Sequence, residues 1–332
     1  MPLFKSFSPR ATGLLAAVVT VLVWTAFIVI SRATADPTRG GALGPFDIVL
    51  ARILGASAIL LPLGFVLVRK DRAQGIGESS LFGFSPLPLR LTVGAGLFGG
   101  LLYGLFAYNG FAYAPAMHAS VLLPGSLPLW TALLAAWMLR TRITRGRAIG
   151  LALIVVGDVL VGGSSLLHAL DGGNIWIGDL LFMVAALCWS VYSVLARRHA
   201  LDAVRATVAI TAFAFFVYVP LYGSLLLAQQ GGGNFLRAPL GEVALQMLLQ
   251  GVLSVVVAGI SFTKMIQHYG PVRSTMITAL VPGLSAFAAV MFLGEPPAWN
   301  LPLGLLLVTV GILFGVRAVA VAPALAVPDA AR

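Results

Sequence analysis

Aromatic side chains that carry a polar group stand inside long apolar stretches of this sequence, and they are its best candidates for ligand binding. The candidates are Trp24, Tyr103, His118, Trp189 and Tyr192. Their rings could stack on an apolar ligand while indole, hydroxyl and imidazole groups bond to its charged ends. Trp and Tyr also serve as core and membrane-interface residues, so packing is the alternative role. For Tyr108, Tyr113 and Trp130 we expect packing.

Enzymatic chemistry has little support in the residue types. The stretch GAGLFGG, residues 94–100, has the glycine spacing of a dinucleotide-binding loop, but no acidic residue follows it before Asp158. No H-E-x-x-H spacing of a zinc enzyme occurs, and the four histidines fall in separate segments. The single cysteine, Cys188, allows neither an intrachain disulfide nor a thiolate cluster. We therefore expect no enzyme, no cofactor and no metal.

The glycines of this stretch have a packing interpretation instead. Gly96, Gly100 and Gly104 recur at intervals of four. This spacing predicts one helix face on which a neighbouring backbone approaches closely.

The composition indicates a chain whose solvent is lipid. Of its 332 residues 59% are hydrophobic and 10% are charged, and the mean hydropathy is +0.99. A soluble domain has about 25% charged residues. The net charge of +10 comes from Lys and Arg in short loops between apolar runs. Because these residues form no basic, aromatic-rich surface, we expect no nucleic-acid partner.

Ten apolar runs of about the length that crosses a bilayer are predicted. They cover residues 12–30, 46–68, 91–112, 116–139, 147–163, 175–196, 204–228, 243–263, 274–293 and 301–315. With the N-terminus in the cytoplasm, 17 of the 21 Lys and Arg residues fall on the cytoplasmic side. The excess of basic residues in cytoplasmic loops therefore predicts that both termini are cytoplasmic.

The two halves of the chain resemble each other. A shift of 165 residues aligns the first spans of the halves, and a shift of 154 aligns the last ones. The matched pairs are Gly13 with Gly178, Trp24 with Trp189, Pro128 with Pro282, Gly150 with Gly304, and Gly157 with Gly311. Because each half holds five spans, an odd number, the second half enters the membrane from the opposite face. Inverted repeats of this kind are typical of secondary transporters.

The sequence therefore predicts an all-α integral membrane protein with ten transmembrane helices in two inverted five-helix repeats. Its predicted parts are a cytoplasmic tail (1–11), the first repeat (12–163), an external linker (164–174), the second repeat (175–317) and a second cytoplasmic tail (318–332).

Short segments carry a resemblance to a known family. WTAFIVISR in the first span, PFDIVLAR in the second, and the repeated proline-containing span followed by a glycine-rich one resemble EamA-type transporters of the drug/metabolite transporter superfamily. The similarity covers residues 12–317, and it is greatest to the bacterial aromatic amino-acid exporters of the YddG type. It implies an exporter of amino acids and related metabolites in the bacterial inner membrane, which works by alternating access.

Ionisable residues within the spans are functional candidates by default. Arg52 could be structural, paired with Asp47, or functional. Asp158 could make packing hydrogen bonds or couple transport to protons. No central cluster of Lys and Arg is present to hold phosphate, so a zwitterionic or neutral substrate is expected. Export of hydrophobic cations, with Asp158 as the carboxylate, remains the alternative.

Prolines within two matched spans predict bending elements. Pro124, Pro128 and Pro282 each lack a backbone N–H, so they can kink spans four and nine. We expect these kinks to act as hinges in a monomeric carrier. A receptor or structural protein would not need the repeat, and a flux assay separates these classes.

Overall fold

The computed structural model describes residues 9–35, 38, 41–75, 77–169, 173–228, 233–278, 280–296 and 299–320. For residues 9, 10, 162–169, 233 and 315–320 it describes the backbone alone. Helices and turns make up these residues, and the one β-type pairing among them is an isolated bridge between Ser80 and Ser85. The prediction of an all-α protein is confirmed for this part of the chain.

The long helical segments are numbered here in chain order. They are α1 (Pro9–Ala35), α2 (Pro45–Ala73), α3 (Leu89–Tyr113), α4 (Ala116–Met138), α5 (Arg145–Ala169), α6 (Ile175–Arg198), α7 (Ala203–Ala228), α8 (Leu240–Tyr269), α9 (Pro271–Leu293) and α10 (Asn300–Ala320). Among the described residues, α1–α4 and α6–α9 are the eight helices long and apolar enough to cross a membrane, and Asn300–Phe314 is a shorter apolar helix. The protein is therefore a multi-pass membrane protein.

Several helices extend beyond the predicted spans. The last turns of α5 reach Ala169, inside the predicted linker of residues 164–174. α8 continues past residue 263 to Tyr269, so it includes Lys264 and His268. The predicted spans end where polar residues begin, but the hydrogen bonds of a helix continue through polar residues, so the helices are longer than the spans. Residues 1–8 and 321–332 of the two predicted tails lie outside the described residues.

Local chemistry explains where some helices begin and end. α2 begins with Pro45 in its first turn, and Asp47 Oδ2 accepts a hydrogen bond from the Gly44 amide at 3.0 Å. Gly270, with φ of 77°, separates α8 from α9. Gly294, with φ of 67°, ends α9 in the left-handed conformation that glycine adopts without strain.

Contacts between helix termini define two ends of the bundle. At the end that we call the Asp71 end, Asp71 on α2 forms an ion pair with Arg205 on α7, with Arg205 Nη2 2.8 Å from Asp71 Oδ1. At the opposite end, which we call the Arg32 end, Glu242 Oε1 of α8 accepts hydrogen bonds from the amides of Ala42 and Leu43. Both contacts join the first half of the chain to the second.

Glycines bring α5 and α10 into close contact. A methyl group added to Gly157 would lie 2.7 Å from the carbonyl oxygen of Gly304, and one added to Gly311 would lie 2.5 Å from that of Gly150. Both separations are far below ordinary contact. The four residues are two of the pairs matched by the sequence repeat, and exchanging the halves converts one contact into the other.

The glycines of residues 94–104 pack only partly as predicted. An added methyl group would meet the Phe213 ring at Gly96 and the side chain of Ile210 at Gly100, and nothing lies within 4 Å at Gly104. The predicted close approach therefore holds for Gly96 and Gly100, which both face α7, and it is wrong for Gly104. Residues 97–101 form a π-helical turn, and the extra residue in that turn removes the four-residue periodicity on which the prediction depended.

The α5–α10 contact yields a test of packing. Replacing Gly157 with Ala should destabilise the protein by about 1–3 kcal/mol, because the facing backbone cannot withdraw from an added methyl group. Thermal unfolding in detergent measures the effect. Gly223→Ala is the matched control, since nothing lies within 4 Å of a methyl group there, and it should leave the unfolding temperature unchanged or raise it. Equal unfolding temperatures for Gly157→Ala and the wild type would contradict the close contact.

Candidate substrate site

An aromatic cluster occupies the middle of the bundle, with Trp189 of α6 at its centre. The Trp189 ring centroid lies 4.8 Å from that of Tyr103, 5.4 Å from Tyr192 and 5.5 Å from Phe262. Trp24 of α1 meets Trp189 edge to face at 5.8 Å. Four of the five predicted site residues therefore lie together, and they come from both halves of the chain.

A small cavity lies within this cluster. Its lining includes two pairs of residues matched by the repeat, Trp24 with Trp189 and Leu127 with Val281, and also Tyr103 and Pro124. Its volume is about 10 Å³, which is room for about one water molecule. The aromatic side chains thus fill the space that a ligand would occupy, and a ligand could enter only if they moved apart.

The polar groups of the cluster differ in how they are satisfied. The Tyr192 hydroxyl lies 2.7 Å from Thr263 Oγ1, a partner on α8. The indole nitrogen of Trp189 is buried and has no hydrogen-bond partner in the described part of the chain. An unsatisfied buried donor costs about 1–3 kcal/mol. Trp189 therefore offers a ligand both a ring face and an unused N–H group.

His118 does not belong to this cluster. It lies at the Arg32 end, where its Nδ1 is 2.9 Å from Asp179 Oδ1, and both side chains are buried. The sequence predicts a place among the aromatic residues for its imidazole group, but His118 lies in the first turn of α4, at one end of the bundle and not at its middle. The structure thus separates His118 from the other four candidates.

A second ion pair stands near His118. Arg32 Nε is 3.4 Å from Glu295 Oε1, and Arg32 Nη1 donates to the carbonyl of Phe111 at 2.7 Å. The two Glu295 oxygens also accept the amides of Ala116 and Met117, at 3.0 and 3.1 Å. We call Arg32, Glu295, His118 and Asp179 the Arg32-end cluster. Sequence reasoning missed it because its members are far apart in the chain.

The prolines lie at breaks in two helices. Pro124 is inside a π-helical turn, residues 121–125, and Pro128 follows in the first turn of the α-helix that restarts at Leu127. Pro282 lies in the first turn of the helix that restarts at Leu280 within α9. In a first turn proline removes no hydrogen bond. Pro128 and Pro282 therefore lie where a helix restarts, and of these three prolines Pro124 is the one inside a helical turn.

Arg52 is buried in a polar network that the sequence reading did not predict. Its Nη1 donates to Ser254 Oγ at 3.0 Å and to the Tyr108 hydroxyl at 3.4 Å. The Tyr108 hydroxyl in turn donates to Gln250 Oε1 at 2.7 Å, so Tyr108 does more than pack. Asp47 is not the partner of Arg52, since its two oxygens accept from the Tyr222 hydroxyl and the Gly44 amide. The structural alternative, in which Arg52 pairs with Asp47, is thus not supported.

Comparison with known proteins identifies the family. A model of the EamA-like transporter family matches residues 11–163 and again residues 176–317. The chain belongs to the EamA-like transporter family. Because its relatives are transporters and not enzymes, the prediction of a non-enzymatic protein is confirmed.

Individual relatives agree with this assignment. An uncharacterized transporter of Clostridium kluyveri is 22% identical over 276 residues, which are 82% of this chain and 83% of that protein. The uncharacterized transporter YyaM of Bacillus subtilis is 29% identical over 105 residues, 30% of this chain and 34% of YyaM. A crystal structure with 22% identity superposes with a TM-score of 0.59 and covers 93% of this chain and 98% of its own. The shared fold is thereby shown.

Asp158 on α5 is a buried carboxylate that lies outside both the aromatic cluster and the Arg32-end cluster. Neither of its oxygens has a hydrogen-bond partner among the described residues, so the interpretation that it makes packing hydrogen bonds is not supported. The residues that line the aromatic cavity do not include it. Asp158 therefore does not contact a ligand in that cavity.

The Arg32-end cluster yields a second test. Glu295→Gln should increase hydrogen exchange of the Ala116 and Met117 backbone amides by about ten- to a hundredfold. A hydrogen bond to a charged acceptor contributes about 1.5–3 kcal/mol, and a glutamine side chain has only one acceptor oxygen where glutamate has two. Mass spectrometry of peptides covering residues 114–120 measures it. Glu242→Gln is the matched control, since Glu242 accepts the Ala42 and Leu43 amides instead. Equal exchange of residues 114–120 in both variants would contradict the role of Glu295.

Proposed function

We propose that this protein is a secondary transporter of the bacterial inner membrane that exports aromatic and other hydrophobic amino acids or related metabolites by alternating access. In this proposal all ten helices cross the bilayer as two inverted five-helix repeats, and both termini are cytoplasmic. In this proposal the protein is a monomer with two partners, one small-molecule substrate and the lipid bilayer, and its substrate class is the one that the resemblance to exporters of the YddG type implies.

The contacts between matched residues support the inverted repeat. Two-fold symmetry brings equivalent residues together at its axis and makes every other contact occur twice, with the halves exchanged. Trp24 touches its equivalent, Trp189. Gly13 on α1 packs against Tyr269 at the end of α8, while its equivalent, Gly178 on α6, packs against Ala114 at the end of α3. The two separate family matches also agree with a repeat.

The contact between Trp24 and Trp189 is the observation that carries the functional proposal. In inverted-repeat transporters the substrate site lies near the midplane, at the interface of the repeats. The cavity of this chain is lined by two pairs of equivalent residues, so it lies at that interface. Its aromatic lining favours a ligand with a hydrophobic side chain, and the free Trp189 N–H favours one with a polar group.

The distribution of basic residues assigns the two ends of the bundle in this proposal. Arg32 lies on the side with few Lys and Arg residues, so the Arg32-end cluster is external, and the Asp71–Arg205 pair is cytoplasmic. Each contact joins the two halves of the chain. Alternating access then requires one of them to separate while the other holds.

Export of hydrophobic cations has less support. A cation would favour a carboxylate in its site, but none of the described residues that line the aromatic cavity is acidic. Arg52, a cation, lies next to Tyr103 at the edge of this cavity, 5.9 Å from the ring centroid. We therefore keep this alternative only as an outcome of the transport test.

Counterflow in proteoliposomes tests the proposal. Liposomes that contain the purified protein and unlabelled phenylalanine should accumulate trace labelled phenylalanine from the outside, and empty liposomes should not. Trp189→Ala should reduce this accumulation severalfold, up to about tenfold, because an aromatic contact contributes about 0.5–1.5 kcal/mol and about 1.4 kcal/mol corresponds to a tenfold change. Trp137→Ala is the matched control, because Trp137 is 78% exposed on the same bundle. Accumulation of a hydrophobic cation, without any amino acid, would instead support drug export.

The hinge role of the prolines is tested in the same assay. Pro124→Ala supplies the N–H that its helix lacks, so it should straighten the break and slow counterflow severalfold while phenylalanine binding is retained. Pro282→Ala should do so less, because that residue lies in a first turn. Unchanged rates in Pro124→Ala, Pro128→Ala and Pro282→Ala would contradict a hinge at these positions.

A further inference from the structure

We infer that Arg52 binds the carboxylate of the substrate, so that a carboxylate is required for transport and an amino group is not. This inference rests on the proposed transport function and deepens it, because it names the chemical group by which the substrate is recognised. The sequence reading left Arg52 open between a structural and a functional role.

The first observation is that Arg52 is a buried cation without a counter-charge. Its side chain is 6% exposed, and no Asp or Glu among the described residues forms an ion pair with it. Removing a charge from water costs several kcal/mol unless an opposite charge and hydrogen bonds compensate for it. Its two hydrogen-bond partners, Ser254 and Tyr108, are neutral. A purely structural arginine at this depth would be expected to have an acidic partner.

The second observation is that part of the guanidinium remains available. Both hydrogen bonds of Arg52 come from Nη1, whereas a guanidinium has five N–H groups. Arg52 also lines a cavity of about 20 Å³ together with Gly100 and Thr211. The Thr211 hydroxyl is buried and has no hydrogen-bond partner in the described part of the chain. Unused donors from two helices thus meet at one cavity, as a carboxylate would require.

The third observation is the position of Arg52 beside the aromatic cluster. The Tyr103 ring separates the two sites, since its centroid is 5.9 Å from Arg52 Cζ and 4.8 Å from the Trp189 centroid. A ligand that replaced the Tyr103 ring would touch the guanidinium on one side and the indole on the other. In phenylalanine only two saturated carbons separate the ring from the carboxylate. An aromatic amino acid can therefore reach both groups at once.

The charge of the combined site determines its preference. With Arg52 as its only described ionised group, the site gains most from a ligand that carries one negative charge. The ammonium group of an amino acid has no described carboxylate to pair with in this site. A substrate without the ammonium group should therefore bind with nearly the same affinity. A ligand with a positive charge alone would be repelled by Arg52, which adds to the case against cation export.

Competition against phenylalanine counterflow tests this preference in the wild-type protein. Phenylpropionate, which lacks only the ammonium group, should inhibit within about threefold of the concentration needed for unlabelled phenylalanine. Phenethylamine, which lacks only the carboxylate, should require a concentration at least about tenfold higher for the same inhibition, because it loses one hydrogen bond between charged groups. Inhibition by phenethylamine at the lower concentration, or equal inhibition by both compounds, would overturn the inference.

Substitution of Arg52 provides the second arm. Arg52→Gln should lower counterflow at least about tenfold and abolish the difference between the two competitors, and Arg52→Lys should keep that difference. The exposed Arg90 on α3 gives the matched control, Arg90→Gln, which should behave as wild type. Full counterflow with undiminished discrimination in Arg52→Gln would exclude the role. If Arg52→Gln fails to fold, the competition experiment decides alone.

A binding measurement separates failure of this inference from failure of the transport proposal. If wild-type protein moves no amino acid, the proposed function fails. The inference then depends on whether phenylpropionate, but not phenethylamine, raises the unfolding temperature of the detergent-solubilised protein. A rise that is retained in Arg52→Lys and absent in Arg52→Gln supports a carboxylate site. No rise with phenylpropionate overturns it.

Discussion

Polar groups inside an apolar layer must find their partners within the protein, because no water is available to them, and this constraint governs the whole bundle. Helix formation supplies hydrogen-bond partners for the backbone groups, and hydroxyl side chains donate to backbone carbonyls. Thr20 donates to the carbonyl of Ala16 at 2.7 Å, and Ser193 donates to the carbonyl of Trp189 at 2.8 Å. Against this background the unsatisfied groups carry information. The Trp189 indole and the Thr211 hydroxyl lie beside the aromatic cavity and the Arg52 cavity, respectively.

The polar contacts between the halves differ in environment at the two ends of the bundle. The Asp71–Arg205 pair is partly open to solvent, with Arg205 33% exposed, and such pairs contribute about 0–1 kcal/mol. The Arg32-end cluster is more buried, and Glu295 holds two backbone amides in addition to Arg32. Separating the halves at the Arg32 end would therefore expose more unsatisfied groups. The two ends thus differ in their side-chain contacts, whereas the close backbone contacts of the two halves match, as those of Gly157 with Gly304 and of Gly311 with Gly150 do.

The sequence predicted those features that follow from composition and repetition. Apolar runs located the helices, and the shift of 165 residues matched Trp24 with Trp189, which meet in the structure. It could not predict contacts set by packing angles between distant helices. The Arg52–Ser254 bond joins residues 202 positions apart, and His118 and Asp179 come from different halves. The glycine prediction was wrong at Gly104 for a local reason, because spacing predicts a common face only while the helix keeps its α-helical period.

That local departure from the α-helix bears on how the site could open. Tyr103, which lies between Arg52 and Trp189, is two residues beyond the π-helical turn of residues 97–101. Each residue of an α-helix turns the chain by about 100°, so a change of this turn to α geometry would rotate the following residues by roughly that angle. Gly99 and Gly100 lie within the turn, and because they have no side chains the turn packs closely against Tyr192 and Ile210. A change of helical type over five residues would thus rotate Tyr103 together with the part of α3 that follows the turn, and it would move the ring that lies between Arg52 and Trp189.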